Sequence, residues 1–474
     1  MFIEKEAYFM NFNPRKKYIC YCCVGEKFLS NEIESTNKKL SRKRKCSYCH
    51  EKEMTITIQD IGDRIEKTIT EHYIKTSDQP DDFQYAMLRD KESSYDWERE
   101  GQDITNLIFD LAGVSMEIAE NIQIYLEDKN SSWSHHDEPD IETEFSSESH
   151  YTETKANGNE YHQLWNKLEQ SLKEEARYFN HNVMSTLEEI FSGLDTMNTF
   201  NNKPLLKYVG VDTKITHLYR ARSFENFETM EKALVDPENL LGPPATVYSG
   251  SGRMNARGIS VFYGANTRET AISEIRPSVG SQVLTTKFDI TSKLKVLDLR
   301  NLDKISPKGS LFDPIFKKKI NQVAFLKNLK ERIVSPVLPS AEAFDYLTTQ
   351  AVAEFLEQHP IYNVDGVLYP SVQSKNDDFN LVIFHKSSKI KFRPPSKKEF
   401  KVMSYFDDEY EICVLETELK IEKKDNKQDE SNFTECLSID VGSIHLHEIC
   451  GVKYSFSSKG ISWRTHQNRH FEDE

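Results

Sequence analysis

A chain of 474 residues exceeds what one ordinary hydrophobic core organises, so two or three domains are expected. Hydrophobic residues at 38% and charged residues at 29% describe a polar globular chain, and the net charge of −15 argues against wholesale binding to nucleic acid or anionic membrane. No apolar run approaches the roughly 20 residues that span a bilayer, and the opening stretch MFIEKEAYFMNF has the wrong charge order for a secretory signal, so a cytoplasmic protein is expected.

Four of the eight cysteines form two C-x-x-C pairs, Cys20 with Cys23 and Cys46 with Cys49, separated by 22 residues. In a reduced compartment such pairs indicate metal before disulfides. Each C-x-x-C turn presents two thiolates to one ion, so residues 1–55 are predicted to form a zinc ribbon. Its ion would be structural, because four protein thiolates leave no position for a reactive water. Cys22 competes with Cys23 as a ligand, and His50 could replace Cys49. The basic run Lys38, Lys39, Arg42, Lys43, Arg44 and Lys45 could meet a phosphate backbone. Without interleaved aromatics it reads first as a solvated loop.

Residues 56–200 carry helical periodicity. Ile58, Ile61, Ile65, Ile69 and Tyr73 fall on one face, with Thr57 and Asp60 placed to cap the helix. A second helix is expected from about 102 to 127, where Ile104, Leu107, Ile108, Leu111, Val114, Ile118, Ile122 and Tyr125 keep the 3.6-residue period. Residues 128–158 are acidic, Ser/Thr-rich and aperiodic, which predicts a linker in which His135, His136, Asp137 and Glu138 are solvated. A third, long helix is expected from Tyr161 to Phe191, ended by Gly193.

From about 213 the pattern turns to strands mixed with a few helices, which predicts an α+β domain. THLYRARS places Leu218, Arg220 and Arg222 on one strand face. The stretch Gly252–Glu274 sets Arg253 in a glycine-flanked turn, Tyr263 at the end of a strand over 259–263, and Glu274 on a helix with Asn266 as its cap and Glu269 completing a capping box. An arginine, an aromatic hydroxyl and a carboxylate so placed suggest an anion-binding and acid/base site. Strands over SQVLTTKFDI and KLKVLDL, a helix over 341–358, and two closing strands, DGVLYP and FNLVIF, follow. No G-x-G-x-x-G or P-loop is present. Residues 395–474 read as a β-rich extension with no assigned chemistry; a metal site on His445 and His447 is conceivable but not favoured.

The stretch 213–394 resembles the RES domain, found in toxin–antitoxin modules. The matching motifs are L-Y-R at 218–220, G-R-M-N at 252–255, V-F-Y-G-A at 261–265, Glu274, G-V-L-Y-P-S at 366–371 and N-L-V-I-F at 380–384. The N-terminal ribbon and helices look like the HEPN-related domain that precedes RES in some larger proteins. Arg177 and His181 stand too close for the R-x4-6-H pattern of HEPN ribonucleases, so a scaffold or sensor is expected. The resemblance implies an ADP-ribosyltransferase-like fold and cleavage of the nicotinamide–ribose bond of NAD by phosphorolysis or hydrolysis.

In that resemblance Glu274 stabilises the ribose cation, Arg220 and Arg253 bind the pyrophosphate, and Tyr263 contacts nicotinamide or ribose. Ser371 supplies a hydroxyl, and Asn255 supports the loop. Each has a plainer structural alternative: a helix-dipole carboxylate, a core tyrosine, a solvated loop arginine, a turn serine. The family often has a bulky aromatic where this chain has Met254. A toxin or defence effector is implied, with an antitoxin partner, and a homo-oligomer is left open. The competing expectations are a mono-ADP-ribosyltransferase acting on a protein and a nucleic-acid-binding regulator with an inert RES-like part. An NAD site further demands that the strands at 218–222, 259–263 and 365–369 converge on one cleft.

Overall fold

The computed structural model describes residues 17–35, 42–90, 92–131, 142–175, 177, 179–335, 337, 340–371, 373, 377–391, 398–406, 410–418, 435–453 and 458–461. The chain folds as two units, one made of residues 1–167, 197–201 and 303–329, the other of 168–196, 202–302 and 330–474. Among the described residues no helix is long and apolar enough to cross a membrane.

In the first unit, β1 (Tyr18–Cys20), β2 (Arg42–Lys45) and β3 (Lys52–Thr57) form an antiparallel sheet with β3 in the middle, and α1 (Lys27–Ser35) follows β1. The expected cap is present on α2 (Ile58–His72): Thr57 accepts from the Asp60 amide while the Asp60 carboxylate accepts from the Thr57 amide. Strand β4 (Tyr73–Lys75), α3 (Asp82–Arg89), β5 (Gln102–Asp103), α4 (Ile104–Ala112), α5 (Met116–Ser131) and β6 (His150–Glu153) come next, with β6 between β4 and β5 in a second small sheet. Ile19 and Ile56 of the ribbon share one buried cluster with Ile61, Ile65, Ile108, Ile118 and Ile122 of the helices. Ribbon and helices therefore bury a common apolar face rather than separate cores.

Two expectations are corrected here. The stripe over 102–127 is not one helix, because Gly113 ends α4 in the left-handed region at φ 61°, and a Cβ there would lie 3.0 Å from the Gly25 Cα. Nor is 128–158 a linker throughout. Phe145 and Tyr151 are buried and stacked at 5.8 Å, and Glu142 pairs with Arg99 at 2.8 Å and Lys75 at 3.1 Å. Composition alone cannot show that an acidic stretch has cations waiting elsewhere in the chain. His135, His136, Asp137 and Glu138 lie outside the described residues, as do Lys38 and Lys39.

The second unit is a mixed α+β layer. The helix expected over 161–191 is broken, since α6 (Asn159–Glu174, in this unit from Leu168) stops and α7 (His181–Ile190) starts afresh, its N-cap Asn180 accepting from the amides of Asn182 and Val183. The strands are β7 (Leu206–Val209), β8 (His217–Phe224), β9 (Phe262–Ala265), β10 (Gln282–Ile290), β11 (Leu294–Asp298), β12 (Gly366–Pro370), β13 (Phe379–Ile383) and β14 (Lys389–Ile390). A separate hairpin, β15 (Lys398–Phe406) with β16 (Tyr410–Glu418), precedes β17 (Glu435–Glu448). Among the described residues nine strands make one sheet in the order β14-β17-β10-β8-β9-β13-β12-β11-β7. The helices are α8 (Phe227–Val235), α9 (Pro237–Leu240), α10 (Arg268–Ile275), α11 (Pro314–Val334, in this unit from Lys330) and α12 (Glu342–Gln358).

The C-terminal extension contributes β17 to this sheet. It pairs along β10, and Cys436, Leu437 and Ile439 join Phe288 in the core. His447 spends a ring nitrogen on the Thr285 hydroxyl at 2.8 Å, and neither His445 nor His447 belongs to a metal-holding group among the described residues.

Candidate functional site

The sheet splits between β8 and β9. These neighbours form a single pair, Tyr219 with Ala265, and part beyond it. A cleft of about 480 Å³ opens there, and Arg220, Arg222, Arg253, Tyr263, Glu274, Tyr346, Tyr369 and Asn380 are among the residues that line it. The strands carrying 218–222, 262–265 and 366–370 thus reach one cleft, with β13 between the last two.

Arg220 is buried, and its Nη1 donates to the Tyr263 carbonyl at 2.9 Å, spanning the gap where a ladder partner would otherwise sit. Its guanidinium lies 5.2 Å from the centre of the Phe262 ring. Burial holds its pKa well below the ordinary arginine range, and the neighbouring Arg222 charge adds to that. Arg222 is lowered by burial as well. The Nε atoms of both are buried and have no partner among the described residues.

Glu274 sits near the C-terminal end of α10. Its Oε1 accepts from the Ser371 hydroxyl at 2.7 Å and from Asn380 Nδ2 at 2.7 Å. Ser371, just past β12, therefore reaches the cleft through Glu274. The cap of α10 differs from expectation. Asn266 Oδ1 is taken by the Phe379 amide across the sheet, so Thr267 caps the helix instead.

The 252–255 turn is fixed from two sides. Tyr263 Oη donates to Asn255 Oδ1 at 2.9 Å and accepts from the Met254 amide at 3.1 Å, and burial raises its pKa to about 12. From α12, Gln350 Nε2 donates to the carbonyls of Gly252 and Asn255 at 2.8 and 3.0 Å. A Cβ at Gly252 would lie 2.5 Å from Asn255 Oδ1, so only glycine fits. Arg253 projects from this turn onto main chain: it donates to the carbonyls of Ile333 and Ser335, with its guanidinium 5.4 Å from the Tyr346 ring centre.

Of the six residues the sequence puts forward, Arg220, Arg253, Tyr263 and Glu274 line this cleft, and Ser371 and Asn255 stand beside it on Glu274 and Tyr263. Asn380, Gln350, Tyr346 and Tyr369 were not assigned. Polar Asn380 in an apolar strand and Gln350 on the buried face of α12 were the available signals. Residues 217–400 match the family model of the RES domain. A search among curated proteins finds no match to the chain. The RES match includes β8, the turn at 252–255, Glu274, Ser371 and Asn380, and it stops before β17.

A second polar cluster lies in the first unit. The Sγ atoms of Cys20, Cys23, Cys46 and Cys49 all fall within 4.8 Å of one another, with Cys20 3.6 Å from Cys23 and 3.5 Å from Cys49, and Cys23 3.8 Å from Cys46. A tetrahedron with metal–sulfur bonds of about 2.3 Å has edges of about 3.8 Å, so these thiols could hold a metal ion. Cys22 is exposed and His50 follows in a left-handed turn at φ 64°; neither belongs to the group.

Proposed function

We propose that this protein degrades NAD by cleaving its nicotinamide–ribose bond and acts as a toxin or defence effector. What carries the proposal is the pairing, in one split-sheet cleft, of the buried Arg220 and half-buried Arg222, which lack a carboxylate partner among the described residues, with a carboxylate held by two donors. An uncompensated buried cation is costly, and an anionic ligand such as a pyrophosphate offsets that cost. In the reaction the C1′–N bond breaks, its electron pair passes to the nicotinamide ring, and positive charge builds on the ribose. Glu274 faces that charge. Ser371 and Asn380 both bind Oε1, and among the described residues Oε2 accepts no hydrogen bond, so it is available to a ribose hydroxyl. Water or phosphate then attacks C1′.

The cysteine cluster would hold one structural zinc ion through Cys20, Cys23, Cys46 and Cys49. Such an enzyme needs restraint in its own cell, so an antitoxin or inhibitory partner protein belongs to the proposal. The test is nicotinamide release from NAD by the purified full chain over a range of phosphate concentrations. Free ADP-ribose identifies water as acceptor, its 1″-phosphate identifies phosphate, and labelled protein identifies a transferase instead. If nicotinamide is released under none of these conditions, the proposal falls.

A further inference from the structure

We propose that Arg222, together with Arg220, forms a two-point clamp that selects a diphosphate over a single phosphate. This rests on the NAD proposal for its substrate and on the geometry of β8 for its residues. Alternation puts Leu218, Arg220 and Arg222 on one face, about 6.7 Å apart in successive pairs. Leu218 is fully buried in the core, so that face runs inward, and the two arginines carry charge where an apolar side chain would be expected. Among the described residues each guanidinium has one protein hydrogen bond, Arg220 to the Tyr263 carbonyl and Arg222 Nη2 to the Gly242 carbonyl at 3.0 Å. Each keeps an unpartnered, buried Nε, and no carboxylate pairs with either among the described residues. With five donors apiece, most of their capacity is unspent.

Arg253 differs. The carbonyls at the end of α11 already take its two terminal nitrogens, and the Tyr346 ring covers its face. The pair of donors suited to two adjacent phosphates is thus Arg220 with Arg222 rather than Arg220 with Arg253. A dinucleotide engages both, whereas a mononucleotide engages one.

The experiment compares kcat/KM for NAD and for nicotinamide mononucleotide, and the binding of ADP by calorimetry, in the unmodified chain, Arg222→Gln and Arg222→Lys. Arg222→Gln is expected to lower kcat/KM for NAD by about tenfold or more, mainly through KM, as for loss of a charge-assisted bond. The mononucleotide should change by less than about twofold, ADP binding should weaken in step with NAD, and Arg222→Lys should recover part of the loss. Equal losses for both substrates, or unchanged ADP binding, overturn the clamp and leave Arg222 as a strut to Gly242. Should Arg222→Gln fail to fold, Arg222→Lys carries the test: weaker ADP binding supports the clamp and unchanged binding overturns it. Arg222-dependent ADP binding without NAD cleavage would keep the clamp and reject the reaction. NAD cleavage indifferent to Arg222 would do the reverse.

Discussion

Two sets of polar groups, one in each unit, are arranged in opposite ways. In the first, thiols converge on a common centre and Glu142 is ringed by Arg99 and Lys75, so strong groups meet strong partners. In the second, Arg220 is buried and Arg222 half-buried beside a cleft, each with a buried Nε left unpartnered among the described residues. Where polar groups are matched within the chain, the matching stabilises the fold. Where they are left unmatched at a cleft, the fold bears a cost that an anionic ligand would offset.

That contrast can be broken most forcefully at the cysteines. Stripping metal with a chelator is expected to unfold the ribbon, since structural zinc contributes about 10–16 kcal/mol in small zinc domains. Metal analysis should find one ion lost, with hydrogen exchange rising across 17–57. Unchanged exchange after stripping would reduce the cluster to four packed thiols. Glu274→Gln is the converse case, expected to cut nicotinamide release by about 10²–10³-fold. Its melting temperature should hardly move, because the amide oxygen still accepts from Ser371 and Asn380. A collapse in stability would put Glu274 on the structural side of the divide.

Acid sharpens the comparison further. The hydrogen bond from Arg99 holds the Glu142 carboxyl down at about 2, against burial that raises it and with help from Lys75. A lowered folded pKa means that this stabilisation is fully present above the unfolded value of about 4.3 and is lost as pH falls through about 2, a contribution of about 3 kcal/mol. Glu142→Gln should flatten the acid-unfolding curve of the first unit across that window. If the curve is unaltered, the triad adds nothing. A smaller effect is expected from Tyr263→Phe, which removes two hydrogen bonds from the 252–255 turn: about 1–2 kcal/mol of stability and a several-fold lower kcat/KM for NAD. Smallest of all, Arg42→Gln, Lys43→Gln and Lys45→Gln together should leave stability within about 0.5 kcal/mol and NAD cleavage unchanged. Salt-dependent RNA binding lost in that variant would instead bring the ribbon into the function.

Local chemistry was legible wherever the sequence neighbours themselves decide the outcome. Thr57 and Asp60 cap α2 as their spacing predicts, and the C-x-x-C turns bring their thiols together. Legibility failed where a distant group intervenes. Asn266 has the chemistry of a cap, but the Phe379 amide claims it. The apolar stripe over 102–127 keeps its period through Gly113, since periodicity reports which side is buried and not whether the backbone turns. Arg253 carries a recognisable motif position, yet nothing near it in sequence announces the carbonyls of Ile333 and Ser335. Arg222 shows its face in the alternation of β8, but its significance depends on the split from β9.

The long strand β17 has a consequence in time as well as in space. Strand β8, which carries Arg220 and Arg222, is flanked by β10, and β10 in turn pairs with a strand far along the chain. Such a distant pairing cannot form until the ribosome has delivered residues 435–448, and non-local strand pairing is slow even then. Between the translation of β10 and that of β17 this wall of the cleft lacks its neighbour on one side. Closure of this side of the cleft therefore waits on a pairing between residues about 150 positions apart, and β8 is held there only once β10 and β17 have met.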